Sequence, residues 1–198
     1  MSSAPPPLVL ASRSPQRRAI LTQLRIPFVV RAVDVTELSE GEPGELVEAN
    51  ARRKACAGAA ADVSADSADP RQWVLGVDTV VVLDADILGK PADAVHAGET
   101  LARLAGRTHR VFSGVAVSRA GVLESLHEVT TVTFRSLPAD ALERYVASEE
   151  WRGRAGGYAI QGLGAALVRR IEGDYLNVVG LPAGALLDRW PELGLGGA

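Results

Sequence analysis

The chain has one cysteine among its 198 residues, Cys56, so no internal disulfide forms, which fits a reducing compartment. It has no basic excess. A formal net charge of -3 argues against a protein devoted to wrapping nucleic acid, yet leaves room for a local basic pocket that takes a small anion. No apolar run approaches the roughly 20 residues of a membrane helix, so no membrane partner is expected. The opening MSSAPPP has neither the basic region nor the apolar region of a signal peptide. Residues 1–7 read as a frayed tail, residues 8–198 as a single domain, and the expected location is the cytoplasm. His96, His109 and His127 are scattered without metal-ligand spacing. No GxSxG nucleophile elbow, P-loop or strand-linked GxGxxG occurs, and no internal repeat is visible.

What is present is a chain with 47% hydrophobic residues in which strand and helix patterns alternate. LVLA (8–11) reads as a buried strand, followed by a helix capped by Ser14, opened by Pro15 and running to about Leu24. FVVRAVDV (28–35) reads as a second strand and ELSEGEPGE as an acidic loop. A helix is expected from Leu46 to about Ala61; its alanine bias is assigned no function, and Cys56 within it reads as a small packing residue. VSADSADPRQ (63–72) reads as a loop. The run WVLGVDTVVVLDADILGK reads as a hairpin, and a helix spans 92–106, ending at Gly106. Two long strands surround Arg119–Gly121, a helix covers 138–148, a glycine-dense loop 153–166, a strand 166–171 and a last helix Pro182–Trp190. The class this implies is α/β with a mixed sheet flanked by helices.

Several residues fit structure poorly on their own. Arg17 lies in the first turn of a helix, where the dipole disfavours a cation; loop serines, free helix N–H groups and an arginine would together bind an anion, while the plain alternative is a solvated arginine. Arg18 is expected to point outward. Asp78 sits among β-branched residues in VLGVDTVVV, and a carboxylate there needs a partner, a metal or a strand bend that reaches water. Lys54 fits a solvated helix face, Lys90 and Glu37 fit loops, and Gln161 in GRAGGYAIQGLGA either reads a base edge or braces the loop.

The stretches LASRSPQRR, GVDTVV, LGKP, LARLAGRTHRVFSGVAV and AGGYAIQGLGAALVRRIEGDYLNVVGLP together resemble the Maf family of nucleoside triphosphate pyrophosphatases, over about Leu8 to Leu187. The resemblance implies an elongated, two-lobed fold similar to inosine triphosphate pyrophosphatases, with a central cleft. It implies hydrolysis between the α and β phosphates, a divalent cation (magnesium or manganese) as cofactor, a nucleoside triphosphate as substrate, and a cytoplasmic homodimer with a house-cleaning role.

Carried over residue by residue, the resemblance makes Asp78 the proton acceptor and Glu37, Lys54 and Lys90 charged residues of the cleft. Glu37 and Asp78 become the metal ligands, and Ser12, Ser14 and Arg17 the phosphate-binding group. Thr79 and Gln161 fall at positions linked to base choice. Gln16 falls at another, where the family's SxSPRR opening has arginine. The pairing of Asp78-Thr79 with YAIQG sides with the dTTP and UTP branch, with Ala159 where glycine is usual. The alternatives are a 7-methyl-GTP pyrophosphatase, a non-catalytic nucleotide-binding regulator of cell division, and a sheet-based interaction module.

Overall fold

A computed structural model describes residues 6–61, 69 and 71–194. The expected tail falls for the most part outside these residues, as does most of the 63–72 loop. In chain order the strands are β1 (Leu8–Leu10), β2 (Phe28–Val30), β3 (Val74–Leu83), β4 (Asp86–Leu88), β5 (Thr108–Arg119), β6 (Val122–Phe134) and β7 (Val168–Glu172). The helices are α1 (Pro15–Gln23), α2 (Pro43–Ala60), α3 (Ala94–Leu104), α4 (Ala139–Ala147), α5 (Tyr175–Val179) and α6 (Ala183–Arg189). The strands form one mixed sheet in the order β2-β1-β3-β5-β6-β7, with β4 also on β3. The β1 pairings are parallel, and β3 to β5, β5 to β6 and β6 to β7 are antiparallel.

One edge of β3 is shared between two short strands. β1 covers Val74 and Leu75, and β4 covers Val81 to Leu83. Residues 76–80 have no strand on that side, and Asp78 and Thr79 lie in this gap. The gap also divides the core. One apolar cluster gathers Leu10, Ile20, Leu21, Leu75, Val77, Val115 and Leu186; a second gathers Val81, Leu83, Leu101, Val111, Phe134 and Tyr145. The same two long strands run through both.

Helix α2 crosses β3 and β5 at close range. A Cβ on Gly76 would stand 2.1 Å from the Ala51 carbonyl oxygen, and one on Gly114 2.3 Å from that of Val47. Ala51, Ala55 and Ala116 fill the rest of the contact. The alanine bias of this helix therefore has a role the sequence did not suggest: small side chains let two backbones meet. The buried stripe runs Val47, Asn50, Ala51, Lys54, Ala55, Gly58, at helical spacing. Cys56 falls off that stripe and is exposed, so its reading as a packing residue is corrected.

Other boundaries moved for local reasons. α2 starts at Pro43, before Leu46, because the Glu42 side chain accepts a hydrogen bond from the Glu45 N–H and caps it. β2 stops at Val30, short of Val35, because its partner β1 ends at Leu10. The five-residue α5 was not anticipated, being too short to show a period. Gly106 has φ +71° just past α3, as expected of the residue that ends a helix. Arg18 is exposed, as are His96 and His127. No helix among the described residues is long and apolar enough to cross a membrane.

His109 is buried against Phe134 and Tyr158, with Nε2 2.9 Å from the Tyr158 hydroxyl. Burial pushes its pKa down from 6.5 to about 4. The folded protein keeps the ring neutral where the unfolded chain would protonate it. Stability therefore falls as pH drops from about 6.5 to about 4, by about 3 kcal/mol from this group, and is unaffected by it above that window. Urea unfolding at a series of pH values should show a shallower acid loss in His109→Gln than in the parent. Separately, Gly76→Ala should cost about 1–3 kcal/mol or more by pushing α2 off the sheet, read as a lower urea midpoint.

Candidate functional site

The gap in β3 opens into a cavity of about 660 Å³. Its wall is built from the turn after β1 and the start of α1, the segment after β2, α2, the middle of β3, the end of β4 and the turn after it, Val111 of β5, the glycine loop and the end of α5. All ten residues singled out in the sequence line it: Ser12, Ser14, Gln16, Arg17, Glu37, Lys54, Asp78, Thr79, Lys90 and Gln161.

At the floor, Lys54 Nζ lies 2.7 Å from Asp78 Oδ1 and 2.6 Å from Glu37 Oε1, and donates to the Val77 carbonyl at 3.2 Å. An ammonium has three N–H donors, so all of Lys54's are taken by protein. The lysine is buried, not the solvated face that its neighbours Arg52 and Arg53 present. Asp78 is buried too, and its other oxygen accepts from Asn50 Nδ2 at 3.0 Å. Asn50 is 1% exposed and also exchanges hydrogen bonds with the Leu38 backbone in both directions, at 2.8 and 3.0 Å. It fixes the segment that carries Glu37 to the strand that carries Asp78. Sequence reasoning missed Asn50. The available signal was an asparagine, a poor helix former, four residues before Lys54 and so on the same face.

Arg17 turns inward from α1. It donates from Nε to the Gly180 carbonyl at 3.0 Å, from Nη1 to Ser12 Oγ at 3.0 Å and from Nη2 to Thr79 Oγ1 at 3.3 Å. Burial lowers its pKa, opposed by the charges of Asp78 and Glu37. No carboxylate among the described residues lies within ion-pair distance of it, so this cation meets neutral oxygens and the cavity. Thr79 accepts from Arg17 and sits 2.9 Å from Ser113 Oγ, which also has the Asn177 carbonyl as an acceptor at 3.2 Å. Either hydroxyl can donate across that contact, since Thr79 Oγ1 also has the Gly180 carbonyl as an acceptor at 3.5 Å. Ser12 also accepts from the Ser14 N–H at 3.2 Å, which leaves its hydroxyl proton free.

Ser14 occupies the N-cap position of α1 but makes no capping bond; its hydroxyl donates to Gln16 Oε1 at 3.0 Å. The first-turn N–H groups of α1 are thus without a side-chain cap. Lys90 and Gln161 are exposed at the cavity wall and make no side-chain hydrogen bond among the described residues.

A family model described as "Maf-like protein" matches residues 7–190. The chain belongs to the Maf-like family. Among curated relatives, a dTTP/UTP pyrophosphatase of Symbiobacterium thermophilum is 47% identical over 177 residues, 88% of each chain. One of Pelotomaculum thermopropionicum is 44% identical over 94% of this chain and 96% of its own. One of Nitratidesulfovibrio vulgaris is 50% identical over 91% of this chain and 84% of its own. The expected mixed α/β fold of a Maf-like protein is what the sheet and its helices display.

Within this Maf-like site the buried charge pair sets a stability test. Removing one partner of such a pair strands the other charge. Lys54→Met should therefore destabilise the fold by about 3–5 kcal/mol, and Lys54→Met combined with Asp78→Asn should recover part of that loss. Denaturant unfolding of the single and double variants measures both.

Proposed function

We propose that this chain hydrolyses nucleoside triphosphates between the α and β phosphates, acting on dTTP and UTP. The observation that supports this is the convergence of ten residues from distant stretches on one cavity whose floor is acidic and whose walls are cationic. The relatives' activity points the same way, and neither a 7-methyl-GTP enzyme nor a non-catalytic regulator of cell division finds support among them.

In the proposed reaction a water oxygen bonds to the α phosphorus and the bond to the bridging oxygen breaks. Pyrophosphate leaves with the electron pair, and the water's proton passes to Asp78. Asp78 fits that role because both its oxygens are already held, by Lys54 and by Asn50, so its plane is fixed facing the cavity. Lys54 and Asn50 act as positioning residues. The uncapped N–H groups of α1, the free proton of Ser12 and the remaining donors of Arg17 would receive phosphate oxygens. Gln16, Thr79 and Gln161 would face the base and sugar, in keeping with their places on the cavity wall.

A divalent cation fits the donor set. No group of three or more metal-ligating side chains is found among the described residues. Magnesium, however, is held by one or two carboxylates together with substrate phosphates and waters. Glu37 is half exposed with Oε2 unengaged, and it stands beside Asp78 across Lys54. Those two would hold the ion, which when bound supplies charge neutralisation for the triphosphate. A homodimer in the cytoplasm is part of the same reading and rests on the family resemblance.

Pyrophosphate release from a panel of triphosphates, with magnesium or manganese and with chelator, tests the activity. Turnover of dTTP and UTP, with monophosphate as co-product and loss in chelator, is expected; no turnover of any triphosphate sinks the reading. Asp78→Asn, shown folded by its melting curve, should lose about 10²–10⁴ in kcat.

A further inference from the structure

The positive charges on the cavity wall are not equivalent. Lys54 has committed every N–H to Glu37, Asp78 and Val77, and Arg17 has committed three of its five to Gly180, Ser12 and Thr79. Among the described residues, three cations lining the same cavity have committed none to protein: Arg13, Lys90 and Arg154; Arg13 and Lys90 are exposed, and Arg154 alone is part-buried. Arg154 belongs to none of the residues considered so far. It is half-buried, and its Nε is fully buried with no hydrogen-bond partner among the described residues. Of the two groups that influence its charge, Tyr145 and Glu150, the carboxylate is already engaged, with its two oxygens accepting from the Leu163 and Gly164 N–H groups at 3.0 and 3.2 Å. A buried arginine donor without an acceptor is unfavourable unless something else supplies the acceptor.

The backbone shows why Arg154 is held there. The Gly156 N–H donates to the Gly89 carbonyl at 3.0 Å, and a Cβ on Gly156, at φ +66°, would press on Val81 at 2.9 Å. The glycine loop is thereby clamped to the end of β4. Arg154 sits two residues from one end of that bond, and Lys90 one residue from the other. Both cations are carried on the same rim, at the Val81 side of Asp78, while Arg17 and Ser12 are on the side of α1 and α5.

We propose that Arg154, together with Lys90, receives the leaving pyrophosphate of the triphosphate substrate, a role that rests on the hydrolase reading above. The α phosphate is then left to Arg17, Ser12 and the α1 N-terminus. An arginine suits this place because its planar fork takes two phosphate oxygens at once.

The test is calorimetric binding of inorganic pyrophosphate with magnesium, and of thymidine monophosphate, to the full chain and to Arg154→Met and Arg154→Lys. Methionine keeps the aliphatic bulk and removes the donors. It should weaken pyrophosphate binding about tenfold or more while leaving monophosphate binding within about twofold, and lysine should recover part of the loss. The melting temperature should not fall, since an unpartnered buried donor has been removed. kcat/KM for dTTP should drop in step with pyrophosphate affinity. If the parent hydrolyses dTTP but Arg154→Met keeps its pyrophosphate affinity, or loses both ligands equally, the proposal falls and the hydrolase reading stands. If the parent binds pyrophosphate through Arg154 yet hydrolyses no triphosphate, the hydrolase reading falls and the anion site stands.

Discussion

The buried contact between Lys54 and Asp78 constrains everything around it. A carboxylate in the middle of a strand, 6% exposed, has to find a cation or lose its charge. The cation comes from a helix lying on the sheet, and a lysine there reaches the strand's edge only if the helix lies close. Gly76 and Gly114 provide that closeness, because any side chain at either position would strike the backbone of α2. The gap between β1 and β4 provides the other half. It leaves the Val77 carbonyl without a strand partner, and Lys54 supplies the missing donor. The geometry of the candidate site and the sheet irregularity are thus one feature. Had β1 continued by a few residues, the edge would be closed and the ion pair would have no room.

Closing the floor with protein-protein hydrogen bonds has a consequence for how a triphosphate would be held. A lysine bonded to two carboxylates is nearly neutralised locally, so it contributes little attraction to an incoming anion. It does hold both carboxylates at fixed positions, which favours water activation and cation binding over phosphate binding. Attraction then falls to groups whose charge is not spent: Arg13, Lys90, Arg154, the outer donors of Arg17 and the helix end beside it. The net charge of -3 is no obstacle, since the electrostatic focusing of a cleft depends on which charges line it.

How much of this was legible in the sequence differs by residue. Asp78 announced itself, because a carboxylate between β-branched neighbours is a local conflict that only a tertiary partner resolves. The strand and helix order was legible from period and turn chemistry, down to the Ala120–Gly121 turn between β5 and β6, where both residues have positive φ. Lys54 was not legible from pattern alone, since nothing local distinguishes it from Arg52 and Arg53; only the register of α2 against β3 turns it inward. Asn50 and Arg154 escaped for the same reason. Each is ordinary in its own segment and becomes informative only when another segment brings an acceptor close, or fails to. The end of β2 was hidden because a strand's length is set by its partner, and the segment after Val30 follows the cavity wall in place of a neighbour.

The paired arginines at the start of α1 illustrate how a local penalty is absorbed by tertiary structure. A cation in the first turn faces the positive end of the helix, at a cost of about 0.3–1 kcal/mol. Arg17 escapes most of it by bending away and donating to the Gly180 carbonyl, which is the C-cap of α5 and an acceptor left over by that helix's end. Two helix ends of opposite local polarity therefore meet at the cavity, and one side chain bridges them. Arg18, with no such acceptor in reach, turns to solvent. Gln16, standing where the family's opening has arginine, adds no third charge. Its carbonyl instead takes the hydroxyl proton that Ser14 would otherwise have free, so the N-cap serine is held in place while the first-turn N–H groups stay open. The helix start is thus left unsatisfied by its own chain on the one side that faces the cavity, which is the condition for an anion to complete it.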